Sequence, residues 1–289
     1  MTEKIKTLVV TGPTATGKTA LAVKLARLYL AEIVSADSRQ VYHGMDIGTG
    51  KDLDEYGLVP YHLIDVADPQ CEVYNLARFM RDAYRAIWEI TSRGKLPILC
   101  GGTALYLAAL LNGYRLPGGA LPPREKGVER VRQNPEHEES FEPPFELDPL
   151  IFGVYYPRSE VHARIEARLD DRLTDGMVDE VRNLHEINGV SYDQLEFFGL
   201  EYREVARYLK HECTLLEMRN TLLYRIRQFV KRQDIFFRKL EREGHQIHWL
   251  KAGKDPDPCA LLEKFLNNEP IPPPAFRLCD INYGKHSPL

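Results

Sequence analysis

At 289 residues, with 44% hydrophobic and 28% charged, the chain has material for one large α/β domain or a domain with a helical appendage. The formal net charge of −4 excludes a global electrostatic pull on nucleic acid, so any such contact must rest on a local patch. No apolar run reaches the roughly 20 residues needed to cross a bilayer. Cys71, Cys100, Cys213, Cys259 and Cys279 stand singly without metal-ligand spacing, and the expectation is a cytoplasmic protein in a reducing compartment.

The first 113 residues alternate short apolar runs with helical patterns. Thr7 to Val10 reads as a strand, followed by a glycine-rich turn, and from Lys18 to Leu30 the leucines Leu21, Leu25 and Leu28 recur at helical spacing. Glu32 to Ala36 is a second strand ending at Asp37, and His62-Leu63-Ile64 a third ending at Asp65. Leu76 to Arg93 is helical, with Gly94 as its stop. Leu96 to Cys100 is a fourth strand, broken by Gly101-Gly102, and a helix follows from Thr103. Such alternation predicts an α/β fold: a doubly wound parallel sheet of P-loop NTPase type with a helical C-terminal part. Ligands then sit at the carboxyl ends of the strands, where Gly12, Asp37, Asp65 and Gly101 all fall.

Residues 114–150 read as an irregular insertion; seven prolines and the acids Glu136, Glu138, Glu139 and Glu142 lie there. Residues 151–252 form a helical part with strands that complete the core. Its strands are Phe152 to Tyr156 and Ile247 to Leu250; its helices run near Ser159–Asp175, Val178–Asn188, Glu201–Leu209 and Leu215–Glu243. Residues 253–289 form a C-terminal tail, expected to be poorly ordered from Pro270 onward.

The segment Gly12-Pro13-Thr14-Ala15-Thr16-Gly17-Lys18-Thr19 meets the pattern G-x-x-x-x-G-K-[ST] between a strand and a helix. Backbone N–H groups of such a loop cradle phosphate oxygens. Lys18 offers a mobile charge to the terminal phosphate, and the Thr19 hydroxyl is placed to ligate Mg²⁺. The motif suits a nucleoside triphosphate and another diphosphate equally. Asp37, after the second strand, is either a base facing the same crevice or a cap for backbone N–H groups. Asp65 either holds a magnesium-bound water or closes its strand. In the long C-terminal helix, Arg227, Lys231 and Arg238 share a stripe beside an apolar seam that includes Gln233; the stripe faces phosphate or solvent.

Taken together, GPTATGKT (Gly12–Thr19), DSRQVYHGMDIGTGK (Asp37–Lys51), HLID (His62–Asp65), Tyr74 to Phe79, GKLPILCGGTALYLAALLNG (Gly94–Gly113), Arg164 to Arg168 with Gly176, and IRQFVKRQ (Ile226–Gln233) resemble the tRNA dimethylallyltransferases. The resemblance implies dimethylallyl diphosphate in the loop (Gly12, Thr14, Ala15, Thr16, Gly17, Lys18, Thr19), with Mg²⁺ at the leaving group. It implies Asp37 as the base, Thr103 and Arg227 on the diphosphate, and Ser38, Gln40, Lys231 and Gln233 toward the adenine or the RNA. The acceptor it implies is an adenosine beside the tRNA anticodon; free AMP, ADP or ATP is the alternative, and a small-molecule kinase a more distant one. Three features depart from the family pattern. Residues 114–150 are shorter than the usual segment, which carries an arm gripping the anticodon stem. Leu200-Glu201-Tyr202 replaces the family's IGY, and Ile226 and Phe236 replace threonine and tryptophan.

Overall fold

The computed structural model describes residues 4–70, 73–116 and 140–281. Six parallel strands, β1 (Lys4–Thr11), β2 (Ala31–Ser35), β3 (Tyr61–His62), β4 (Leu96–Cys100), β5 (Glu146–Tyr155) and β6 (Ile247–Lys251), form one sheet in the order β3-β2-β4-β1-β5-β6. Chain order reverses direction at β1, between β4 and β5. That is the switch point where such sheets open a crevice at the strand carboxyl ends.

Side chains alternate across the sheet. Leu8, Val10, Ile33, Ile98, Phe152 and Leu250 point to one face, where α1 (Lys18–Leu28) and α9 (Pro258–Leu266) cover them. Val9, Val34, Leu99, Ile151 and Trp249 point to the other. That face is covered by α2 (Leu76–Ser92), α3 (Ala104–Leu111), α4 (Arg158–Thr174), α5 (Met177–Glu186), α6 (Tyr192–Phe197), α7 (Leu200–Leu209) and α8 (Leu215–Arg242). Burial on both faces explains why the strands read as near-continuous apolar runs. Side chains fix the helix starts. Asn75 accepts from the Arg78 N–H at the head of α2, and Thr214 with Glu217 closes a capping box on α8.

Several boundaries differ from the sequence reading. The third strand stops at His62, because Leu63 and Asp65 take positive φ values of 63° and 53° and turn the chain out of the sheet. The strand expected from Phe152 begins at Glu146. Pro149, which speaks against a strand, pairs with Thr7 where β6 has not yet begun, so the missing N–H costs no ladder bond to that neighbour. The short helix α6 and the helix α9 within the tail were not anticipated, although Asp257-Pro258 at the head of α9 is a cap followed by proline at the first position. The tail is also anchored beyond Pro270: buried Glu241 accepts from the N–H groups of Leu278 and Cys279 at 3.0 and 2.7 Å, and Phe276 packs on Tyr155. Most of the insertion, residues 117–139 with Glu136, Glu138 and Glu139, lies outside the described residues, as does Cys71.

Candidate active site

β1 ends in the glycine-rich loop and α1 starts from it. Gly12 has φ 144°, and a Cβ there would sit 2.8 Å from the Val154 carbonyl oxygen on β5; Gly17 is left-handed. Only glycine lets the loop fold this tightly against the sheet. The Thr16 hydroxyl and the Lys18 ammonium both donate to the Pro13 carbonyl, each at 2.8 Å. Among the described residues, the N–H groups of Thr16, Gly17, Lys18 and Thr19 find no acceptor within the protein. They form a cluster of open donors at a helix N-terminus, the arrangement that binds anions. Burial brings the Lys18 ammonium down to about 8, with Arg168 adding to the effect and Cys100 and Asp37 opposing it. A cation held under such pressure favours an arriving anion.

The carboxyl ends of β2 and β4 supply the other wall. Thr103 is less a free ligand than a tie. Its hydroxyl accepts from the Ser38 N–H at 3.0 Å and lies 3.4 Å from the Ser38 hydroxyl, joining the two strand ends. One Asp37 oxygen accepts from the Arg39 N–H at 2.9 Å, a local turn, and the other has no protein partner among the described residues. Capping and proton acceptance are thus both open to the same carboxylate. Its charge reaches Lys18, Cys100, Tyr56, Tyr106, Arg39 and Glu201, which places it inside the crevice with Lys18. Burial pushes the ionisation of the Cys100 thiol up to about 12, with Lys18 and Thr19 opposing the effect.

Two expected adenine contacts are otherwise engaged. Gln233 is buried; its carbonyl accepts from the Thr14 N–H at 3.0 Å and its amide donates to Gly102 at 3.2 Å. It braces the phosphate loop against the β4 turn, with both ends of its amide in use. Gln40 accepts from Ser35 and donates to the Gly50 carbonyl. Arg227, on α8, lies 2.9 Å from Glu166 of α4, with its buried Nε left without a partner, and Lys231 is exposed one turn further on. One oxygen of Asp65 pairs with buried Lys51, which also holds Asp46, so Asp65 ties its segment to the 46–51 loop.

The sequence reading left one row without a role. Arg164, Arg168 and Arg172 follow at i, i+4 and i+8 on α4, a spacing that signals a single helix face. Arg164 stacks over Tyr156 with 4.6 Å to the ring centre and donates to the Ala15 carbonyl of the phosphate loop at 2.7 Å. Arg168 pairs with Asp52, and Arg172 donates to the Gly48 carbonyl at 3.2 Å. The row links the phosphate loop to the 46–51 loop, whose Gly50 has no room for a Cβ beside Arg168 and Arg172.

A parallel doubly wound sheet with an open glycine loop at its switch point defines a P-loop α/β protein that handles a phosphorylated substrate. The family model described as IPP transferase matches residues 40–143 and 124–240, and the isopentenyl transferase model matches residues 5–56. The tRNA dimethylallyltransferase 1 of Geotalea uraniireducens (strain Rf4) is 46% identical over 299 residues, covering 92% of this chain and 98% of that protein. Two solved structures share the fold. The tRNA delta(2)-isopentenylpyrophosphate transferase of Staphylococcus epidermidis has a TM-score of 0.71 at 25% identity, covering 92% of this chain and 99% of that one. The full-length tRNA isopentenylpyrophosphate transferase of Bacillus halodurans has a TM-score of 0.69 at 27% identity, covering 92% and 94%. The chain belongs to the IPP transferase family, that of the tRNA dimethylallyltransferases. The 299 positions aligned with the Geotalea protein exceed the 92% of 289 residues that this chain contributes, so within the aligned span the relative carries residues that have no counterpart here.

Proposed function

We propose that the chain transfers the dimethylallyl group of dimethylallyl diphosphate to the exocyclic amine of an adenosine beside the tRNA anticodon. The observation that carries this reading is the open donor cluster at Thr16–Thr19, together with Asp37, whose charge acts on Lys18 and one of whose oxygens has no protein partner among the described residues. The diphosphate lies on the loop N–H groups and Lys18, with Arg164 at the loop's flank. As the allylic C–O bond breaks, negative charge grows on the leaving oxygens, and fixed donors there stabilise the transition state without reorganising. The amine nitrogen attacks the allylic carbon and loses its proton to Asp37, because an aromatic amine is too weak a nucleophile to react otherwise.

Among the described residues no group of three His, Cys, Asp or Glu side chains is arranged to hold a metal. Mg²⁺ would therefore be carried largely by diphosphate oxygens and water, with the Thr19 hydroxyl as its protein ligand, and would supply charge neutralisation of the leaving group. The names of the relatives specify tRNA, which favours that acceptor over a free nucleotide. Among the described residues no helix is long and apolar enough to cross a membrane.

The deciding assay offers labelled dimethylallyl diphosphate to a tRNA transcript and, side by side, to AMP, ADP and ATP. Label in tRNA alone is expected. Label confined to the nucleotides would remove tRNA as the acceptor.

A further inference from the structure

The seam between α4 and α8 gathers basic side chains beside the phosphate loop. One half of it is neutralised. Arg219 takes Asp170 through two bonds, at 2.6 and 2.7 Å, and shares Glu166 with Arg227, at 3.3 and 2.9 Å. Partners thus move back along α4 as they move forward along α8, so the two helices run antiparallel. One turn before Glu166 on α4 stands His162, and one turn before that Arg158; one turn after Arg227 on α8 stands Lys231. Along the α4 row the carboxylates end at Glu166, and Asp234, three residues past Lys231, is paired with Arg238. His162 Nε2 and Arg227 Nε are buried with no hydrogen-bond partner among the described residues, while Arg158 and Lys231 are exposed.

Orphan nitrogens below a cationic rim suit an oxyanion, which accepts from an imidazole N–H and offsets the surrounding charge. Burial lowers the proton affinity of His162, and the charges of Arg227, Arg158 and Lys231 lower it further; an arriving anion reverses that pressure. The seam also lies next to the loop. Arg164, two residues past His162, donates to the Ala15 carbonyl at 2.7 Å, and Gln233, two residues past Lys231, accepts from the Thr14 N–H at 3.0 Å. At about 1.5 Å of rise per residue, the rim stands within a side chain's length of the loop on both helices. We propose that Arg158, His162 and Lys231 form an outer phosphate subsite, which receives the diphosphate group on its way to the loop and inorganic pyrophosphate on its way out. This rests on the loop being the diphosphate site. Two positive charges at the rim raise the local concentration of a polyanion and so its rate of arrival. RNA carries the same phosphate oxygens, but the nearness of Thr14 and Ala15 favours the small ligand.

The test takes the full chain and measures inorganic pyrophosphate affinity by calorimetry, tRNA affinity by filter binding, and kcat/KM for dimethylallyl diphosphate at saturating tRNA. Arg158→Met combined with Lys231→Met should lower pyrophosphate affinity and kcat/KM about tenfold each at low salt, with kcat unchanged. In about 0.5 M salt, where screening is nearly complete, the gap should shrink to about twofold. His162→Ala should weaken pyrophosphate binding about threefold, the effect of one hydrogen bond. Lys239→Met combined with Arg242→Met removes the same charge from the same helix away from the seam and should match the parent. Equal losses in that control, or parental pyrophosphate affinity in the seam double variant, would overturn the subsite. So would a loss confined to tRNA affinity, which assigns the seam to RNA. Lys18→Ala separates the two readings. If it binds pyrophosphate as the parent does, the loop reading fails; if it is impaired while the seam variants bind normally, only the subsite fails.

Discussion

Two glycine-bearing loops lie at the same edge of the sheet and meet opposite fates. In the 12–19 loop the donors of Thr16 to Thr19 face the crevice unfilled. In the 46–51 loop the N–H groups of Asp46, Ile47 and Gly48 converge on the carboxylate of Glu180 at 2.8, 2.6 and 3.0 Å, and the Tyr202 hydroxyl adds a fourth donor. Both are nests of backbone donors suited to an anion. One has its anion built in and serves as structure; the other awaits it from the substrate. Gly48 belongs to the first kind for steric reasons as well, since a Cβ there would lie 2.7 Å from the Tyr202 ring.

The contrast can be broken at either loop. Lys18→Ala leaves the open nest without its cation and should lower kcat/KM for dimethylallyl diphosphate by about 10²–10³, with thermal stability retained. Parental kcat/KM would detach the loop from the chemistry. Gly12→Ala forces a side chain into φ 144° against Val154; it should cost at least about 1–3 kcal/mol and abolish diphosphate binding by calorimetry. Glu32 is a further carboxylate satisfied by the protein's own donors. Burial raises its proton affinity, but hydrogen bonds from His62, Lys95 and Arg93 overcome this and bring it down to about 2. A depressed folded value means the stabilisation is complete above the unfolded value near 4.5 and is lost as pH falls toward 2. Glu32→Gln should therefore be less stable near neutrality by on the order of 3 kcal/mol and equal to the parent near pH 2, by denaturant titration. Glu180→Gln should cost about 2 kcal/mol, with the diphosphate site intact. Loss of diphosphate binding in that variant would show that the two loops are coupled.

The sequence revealed the open loop more clearly than the filled one. Strand, glycine turn and helix are local signals, so Gly12 to Thr19, Asp37 and Thr103 could be assigned to strand ends before any contact was known. Gln233 could not be read in the same way. It is more than two hundred residues from Thr14 in the chain, and only the crossing of α8 over the β4 turn shows that its amide braces the loop. Asp65 was open to two readings, and the sequence does not show Lys51 arriving from the side, buried, to pair with it. The Arg164, Arg168 and Arg172 row was legible as spacing, but its target at Ala15 and Gly48 was not. The anchored tail was missed because one buried carboxylate, Glu241, holds it through backbone N–H groups, which leave no compositional trace.

The central claim is that an empty donor nest seats the diphosphate while Asp37 removes the acceptor's proton. Single-turnover transfer to tRNA by Asp37→Ala, with diphosphate affinity measured on the same preparation, tests it most directly. The account predicts a rate lowered by about 10²–10⁴ at unchanged affinity. A parental rate would contradict it, and so would loss of diphosphate binding together with activity.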